Sequence, residues 1–397
     1  MTNESIYLDN HATTPCDPQV VEAMLPFLME TFGNPHSTTH AVGREAEAAM
    51  QSALDQIAQR LHTSTDEIVI TSGATESTNL AILGYCRHPR NRKRHVITVA
   101  TEHPAVLDPI AQLSREGFRV TTLDVDSSGL LDVAALADAI DDDTALISVM
   151  LANNEIGSIQ PLAEIVRIAH QRDVAVHTDA TQAIGRIPVD VSELQVDLLS
   201  CSAHKFYGPK GVGLLNIRQG GRRVRVQPLF YGGGQQRRIR PGTMNPAAVV
   251  GMATALRLAT DGISEEAARI GQLRDALWKH LSEGIPGLQL NGPSLTGASR
   301  LPGNLNVRLP GVTGEAIMLA AADVAVSSGS ACTSGDTGPS HVLRSIGLSE
   351  QEAHASLRFG VGRFNDRNQV DDAAERLIRA YRSLVAASPW SNGRSVL

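Results

Sequence analysis

The chain has no long apolar run and little cysteine. No stretch approaches the ~20 consecutive apolar residues that a bilayer-spanning helix needs, and Met1 to Asn10 carry no apolar core behind a basic start. A membrane span and a secretory leader are both unexpected, and the cytoplasm is the expected compartment. The cysteines number four, Cys16, Cys86, Cys201 and Cys332. They are too few and too scattered for a disulfide framework or a paired zinc site, so any special cysteine acts as a thiol and no intrinsic metal is expected. There is also no basic stripe. The formal charge of −7 is spread along the chain, which argues against direct binding of nucleic acid and leaves small molecules and proteins as partners. Repeats, low-complexity tracts and coiled-coil heptads are missing too, and Ser388 to Leu397 reads as a polar tail.

What is present is enough for a large core: 397 residues, 42% of them hydrophobic. Between Ile68 and Ile217 short β-branched runs recur at Ile68–Ile70, Val96–Val99, Val120–Leu123, Ala145–Met150, Val174–Thr178, Leu198–Ser202 and Gly213–Ile217. Helical patterns fill most gaps, as with Leu162, Ile165, Val166 and Ala169 at i, i+3, i+4, i+7. That alternation predicts an α/β fold with a mostly parallel seven-stranded sheet. After the Gly/Pro-rich stretch 232–246 come a long helical pattern, 247–287, and shorter alternating segments at 303–309 and 356–361. A second, smaller α+β domain is expected there. The division anticipated is 15–258 for the large domain, and 1–14 plus 259–397 for the small one.

Ligands of open α/β sheets bind beyond the carboxyl ends of the strands, and five such ends are polar here. Ile70 is followed by Thr71-Ser72-Gly73-Ala74-Thr75-Glu76-Ser77, small residues feeding a helix whose N-terminus suits a phosphate. Val99 leads to Thr101-Glu102-His103, and the 145–150 run to Asn153-Asn154-Glu155. The 174–178 run leads to Asp179 and Gln182, and the 198–202 run ends in Ser202-Ala203-His204-Lys205. Singly, each is an ordinary turn, cap or surface charge. Together they supply a phosphate cradle, a carboxylate, an imidazole and an amine. Pyridoxal 5'-phosphate requires that set: a lysine for the Schiff base, a carboxylate for the ring nitrogen and groups for the phosphate.

The motifs Asn153-Asn154-Glu155-Ile156-Gly157, His177-Thr178-Asp179-Ala180-Thr181-Gln182 and Ser202-Ala203-His204-Lys205-Phe206-Tyr207-Gly208 resemble the cysteine desulfurases of the NifS/IscS group. So do Tyr7-Leu8-Asp9-Asn10-His11-Ala12-Thr13-Thr14-Pro15 and Ser327-Ser328-Gly329-Ser330-Ala331-Cys332. The likeness runs from about residue 6 to 385. It implies a pyridoxal-phosphate-dependent transferase of fold type I that converts L-cysteine to L-alanine. By that resemblance Lys205 carries the cofactor, Asp179 keeps its ring nitrogen protonated, and His103 stacks on the ring and moves protons. Asn154 and Gln182 bond the ring oxygen and the substrate side. Ala74, Thr75, Ser202 and His204 bind the phosphate, and Thr243 reaches the phosphate of a partner subunit in a homodimer.

Cys332 is then the catalytic thiol. Its serine and glycine neighbours argue against the burial usual for a lone cysteine. Its persulfide would pass to an acceptor, an iron–sulfur scaffold or a thiolation carrier, where Cys332 could also transiently ligate a cluster. Arg358, in Ser356-Leu357-Arg358-Phe359, is the candidate for the substrate carboxylate, since a guanidinium fork fits it; Asn34 is a second candidate for the same cleft. Two departures from the family pattern, the glycine-rich continuation Thr333-Ser334-Gly335-Asp336-Thr337-Gly338-Pro339 and a short C-terminal tail, put delivery to an iron–sulfur scaffold in question. The competing readings are a selenocysteine lyase or related carbon–sulfur lyase, and a catalytically silent scaffold of the same fold.

Overall fold

The computed structural model describes residues 5–220, 224–328 and 338–387. After a two-residue strand β1 (Ile6–Tyr7), seven strands follow: β2 (Ile68–Thr71), β3 (His95–Val99), β4 (Arg119–Leu123), β5 (Thr144–Ser148), β6 (Ala175–Asp179), β7 (Leu198–Ser202) and β8 (Gly213–Ile217). They form one sheet in the order β2-β8-β7-β6-β5-β3-β4. All neighbours are parallel except those of β8, which runs antiparallel to both β2 and β7. The expected mostly parallel α/β sheet is therefore present.

Successive side chains of a strand point to opposite faces, and the buried residues divide accordingly. Ile68, Ile70, Ile97, Val99, Ile147, Val176 and Leu199 belong to one apolar cluster, which also takes residues of the helices Ala41–Leu61, Leu162–Gln171 and Pro246–Thr260. Val69, Val96, Leu146, Ala175 and Leu198 belong to the other, with the helices Ala74–Cys86 and Pro104–Arg115. Helices thus cover both faces, and the continuous apolar strands are explained by burial on both sides.

A second sheet lies in the later part of the chain. It comprises β9 (Gln289–Leu290), β10 (Asn304–Arg308), β12 (Ser327–Ser328) and β13 (Ser356–Gly360) in the order β12-β13-β10-β9, all antiparallel. The helices Ile263–Gly284 and Arg367–Ala387 pack on it through Leu273, Leu277, Leu281, Val370 and Leu377. Ile6 and Leu8 join the same cluster, and β1 pairs in parallel with β11 (Val324–Ala325). The helical pattern expected over 247–287 is two helices, separated at Asp261-Gly262. Gly262 adopts a positive φ of 65°, which a side chain would disfavour, and so turns the chain. Among the described residues, no helix is long and apolar enough to cross a membrane.

Candidate active site

The carboxyl ends of the parallel strands open on a cavity of about 590 Å³. Its lining includes Ser72–Glu76, His103, Asn154, Asp179, Gln182, Ser202, His204 and Lys205, so the five polar strand ends do converge. Ala12, Thr13, Thr181, Lys210 and Gly211 also line it.

The anion-binding end is made by the Ala74–Cys86 helix. Gly73 precedes it without a side-chain cap, leaving first-turn N–H groups that have no partner within the helix. Two glycines bring this turn close to the sheet. A Cβ on Gly213 would lie 2.4 Å from the Cys201 carbonyl oxygen and 2.7 Å from Gly73 Cα, and Gly73 itself has φ 153°. Glu76 braces the turn by accepting from Ser72 N (2.6 Å) and from Arg240 Nε (2.8 Å). On the far side Gln236 pairs with the edge strand β2 as another strand would, donating to Ile70 O (2.9 Å) and accepting from Ile70 N (2.6 Å).

Lys205 stands just after β7, where its ammonium donates to the His11 carbonyl (2.9 Å) and the Ala12 carbonyl. It is half-buried in the cavity wall rather than a solvated surface charge. Asp179 ends β6, is buried, and accepts from Thr181 N (2.9 Å). His103 caps the Pro104–Arg115 helix: its Nδ1 accepts from Ala105 N (3.0 Å), so the neutral ring carries its proton on Nε2. Burial lowers its pKa against the opposing pull of Asp179, with Lys205 and His341 lowering it further. Burial likewise brings His204 down to about 4, aided by Lys205 and Lys210. The neutral His204 ring shares a hydrogen bond with Thr13 Oγ1 (2.9 Å).

Two neighbours hold this frame together. Glu102, buried next to His103, accepts from Met150 N (2.5 Å) and so joins the ends of β3 and β5. Burial pushes its carboxyl well above the usual carboxylate range. Gln182 exchanges two bonds with His11: its side-chain oxygen accepts from Nδ1 (2.9 Å), and its amide nitrogen donates to the His11 carbonyl (2.9 Å). Arg186 braces Gln182 from below, reaching its side-chain oxygen and the Asn10 carbonyl (2.5 Å); burial lowers its pKa to about 10. Among the described residues, Thr181 Oγ1 lines the cavity buried and without a hydrogen-bond partner. An amine, a carboxylate, a neutral imidazole, an open helix N-terminus and an unsatisfied hydroxyl around one cavity fit the pyridoxal phosphate expected from the sequence.

The remaining candidates lie elsewhere. Arg358, on β13, is buried; it donates to Asp9 Oδ1 (2.8 Å) and to the Asn154 carbonyl (3.2 Å), and it is not among the residues lining the cavity. Asn34 is exposed, its side chain accepting from His36 N (3.0 Å) in a local turn. Thr243 is exposed on the loop before the Pro246–Thr260 helix, away from its own chain's cavity. Cys332 lies outside the described residues. Of the other cysteines, Cys201 is buried within β7 and Cys86 ends a helix, and burial pushes the Cys86 thiol up to about 12. Sequence reasoning gave no role to Arg186, Lys210 or Thr181, although all three lie in or beside the quoted motifs.

The aminotransferase class-V family model matches residues 6–372. The chain is 48% identical over 384 residues to a cysteine desulfurase of Mus musculus, spanning 97% of this chain and 83% of that protein. It is 46% identical to the cysteine desulfurase IscS of Rickettsia felis, over 98% of this chain and 93% of the relative. A solved structure described as a NifS-like protein superposes with a TM-score of 0.88 at 36% identity, covering 96% of this chain and all of that one.

Proposed function

Since this chain belongs to the aminotransferase class-V family, we propose that it takes sulfur from L-cysteine as a persulfide on Cys332, with Lys205, Asp179 and His103 serving the cofactor. It is a pyridoxal-phosphate-dependent cysteine desulfurase of fold type I. The observation that carries the site assignment is the convergence of Lys205, Asp179 and His103 on the cavity beside an uncapped helix N-terminus.

The bound cofactor supplies an electron sink for bond breaking at the substrate's α- and β-carbons. The protein's own groups do the rest. Lys205 Nζ, held at two backbone carbonyls, is the tethering amine and moves a proton at the substrate α-carbon. Asp179 holds positive charge at the ring nitrogen, its second partner Thr181 N fixing its orientation. His103, kept neutral by burial, would stack on the ring of the bound cofactor, with its Nε2–H available for proton movement. The first turn of the Ala74–Cys86 helix, with Thr75, Ser202 and His204, holds the phosphate. Asn154 and Gln182 bond the ring oxygen and the substrate side. Arg358, anchored at the Asn154 carbonyl, takes the substrate carboxylate. The Cys332 thiolate attacks the substrate sulfur. An S–S bond forms, the Cβ–S bond breaks, and the carbon keeps the electron pair and takes a proton to become alanine. An acceptor thiolate, on an iron–sulfur scaffold or a thiolation carrier, then removes the outer sulfur.

The working unit is a homodimer in which Thr243 completes the partner's phosphate site. Exposed Leu28, Met29, Phe32, Phe230 and Tyr231 support a covered surface of this kind. Residues 15–258 act as the large cofactor-binding domain, with 1–14 and 259–397 as the small one. The few, scattered cysteines suit the cytoplasm.

The test is incubation with L-cysteine and a thiol reductant, measuring alanine and sulfide. Wild type yields both, and Lys205→Ala yields neither. Cys332→Ala keeps the cofactor's visible absorbance, including its loss on borohydride reduction, yet stops turnover. Equal output from wild type and Cys332→Ala removes the persulfide reading.

A further inference from the structure

Asp9 itself has no role in the chemistry above, yet its carboxylate occupies a junction. Asp9 Oδ1 accepts from Arg358 Nη2 (2.8 Å), and Asp9 Oδ2 accepts from Ser327 Oγ (2.8 Å). Arg358 and Ser327 are Cα partners across the antiparallel pair of β13 and β12, so their side chains lie side by side on one face. Both are buried. One carboxylate therefore bridges the arginine to the strand that leads, five residues on, to Cys332.

Asp9 is itself held firmly. Its segment pairs with Gly360 at the end of β13, and the Tyr7 hydroxyl donates to the Asp9 carbonyl (3.1 Å) and the Thr13 carbonyl (2.8 Å). A Cβ on Gly360 would lie 2.8 Å from the backbone nitrogens of Asn10 and His11, so only glycine permits this approach. Three residues later the same segment supplies the Ala12 carbonyl to Lys205. The Arg358 guanidinium also donates to the Asn154 carbonyl, which anchors it to the cavity side. A buried arginine cannot be left without counter-charge except at considerable cost; Asp9 supplies the paired carboxylate, and the charge of Arg358 is also felt at buried Glu155.

We propose that Asp9 is a positioning residue, aiming Arg358 at the substrate carboxylate with one oxygen and fixing the start of the Cys332-bearing segment with the other. The proposal rests on the roles assigned above to Arg358 and Cys332. It separates two functions on one side chain: the Arg358 arm governs substrate affinity, and the Ser327 arm governs sulfur abstraction. A displacement of about 1 Å in a reacting group is enough to cost on the order of a hundredfold in rate.

The experiment uses the full-length holoenzyme and two substrates. L-cysteine requires the thiol, whereas conversion of β-chloroalanine to pyruvate, ammonium and chloride requires Lys205 and carboxylate binding but no thiol. Asp9→Asn is expected to raise KM about tenfold for both substrates and to slow alanine formation from cysteine further. Ser327→Ala, which deletes a single hydroxyl and keeps the Arg358 pair, is expected to leave both KM values in place and to slow the single-turnover alanine burst about fivefold or more. Its β-chloroalanine turnover should follow wild type. Cofactor absorbance is read throughout. Wild-type KM values for Asp9→Asn, beside a raised KM for Arg358→Gln, overturn the first arm. A wild-type burst for Ser327→Ala, beside a dead Cys332→Ala, overturns the second. If Arg358→Gln leaves KM unchanged, or Cys332→Ala still makes alanine from cysteine at the wild-type rate, the underlying role assignment has failed instead.

Discussion

The cofactor end and the thiol end of this protein are built in different ways. At the cofactor end, each functional side chain stands at the end of a strand or a few residues beyond it, in a seven-stranded sheet covered on both faces, so strand register places Asp179, Lys205 and His103. At the other end, Arg358 and Ser327 stand on a four-stranded sheet, and their link to the cofactor side passes through Asp9 and the Asn154 carbonyl. Both sheets are stiffened by apolar packing and ladder hydrogen bonds; what differs is that the second end is tied to the cofactor side by only a few polar side chains. Damage to the first should therefore cost stability and cofactor together, and damage to the second should cost rate while the fold survives.

The largest effect is expected at the close approach of β8 to the phosphate turn. Gly213→Val sets a Cβ 2.4 Å from the Cys201 carbonyl, against backbone that has nowhere to move. A loss of about 3 kcal/mol or more, with reduced cofactor occupancy, is expected by denaturant titration and absorbance. An unchanged midpoint would show that the turn gives way. Next is Asp179→Asn, which keeps the shape and removes the charge. Alanine formation should fall about a hundredfold or more, with the unfolding midpoint little moved.

A pH series probes the sheet side. His177, on β6 between Ser148 and Ser200, is pushed down to about 3 by burial, and burial also brings His204 to about 4. These rings stay neutral in the folded protein, while the unfolded chain takes up protons below about pH 6.5. Stability contributed by their burial as neutral rings is therefore present at pH 7 and lost as pH falls toward 4, by up to about 1.4 kcal/mol per unit for each fully buried ring. Between pH 6.5 and 5 the thermal midpoint should already decline, offset in part by Glu102, whose buried carboxyl takes up its proton first in the folded protein; in Glu102→Gln the decline should be steeper, and a flat midpoint in that variant would contradict the assignment. The smallest effect is reserved for an exposed pair outside both ends, Arg367 with Asp371 at 2.8 Å. Arg367→Ala should shift stability by no more than about 0.5 kcal/mol.

Much of the cofactor end was legible in the sequence. All seven strands of the large sheet appear where β-branched runs predict them, and the polar residues after them line one cavity. Strand periodicity and strand-end chemistry are local signals, and the α/β topology rule converts them into one place. The bracing residues were not legible, because the bonds from Arg186 to Asn10 and from Lys205 to Ala12 span more than 170 positions. The single helical pattern over 247–287 failed for a related reason: apolar periodicity continues across Asp261-Gly262, and the break is a backbone matter of one positive φ.

The sequence by itself determined the sheet, the order of its strands along the chain, and the set of groups that a pyridoxal-phosphate enzyme requires, since each is written in short windows of side-chain type and spacing. The tertiary structure alone decided that Arg358 is buried against Asp9 rather than lining the cavity, and that Ser327 shares the same carboxylate. Those contacts join residues more than 300 positions apart, through β-pairing of the chain's first strand with its later part. No local pattern carries that information, because which distant side chains meet depends on how whole elements pack.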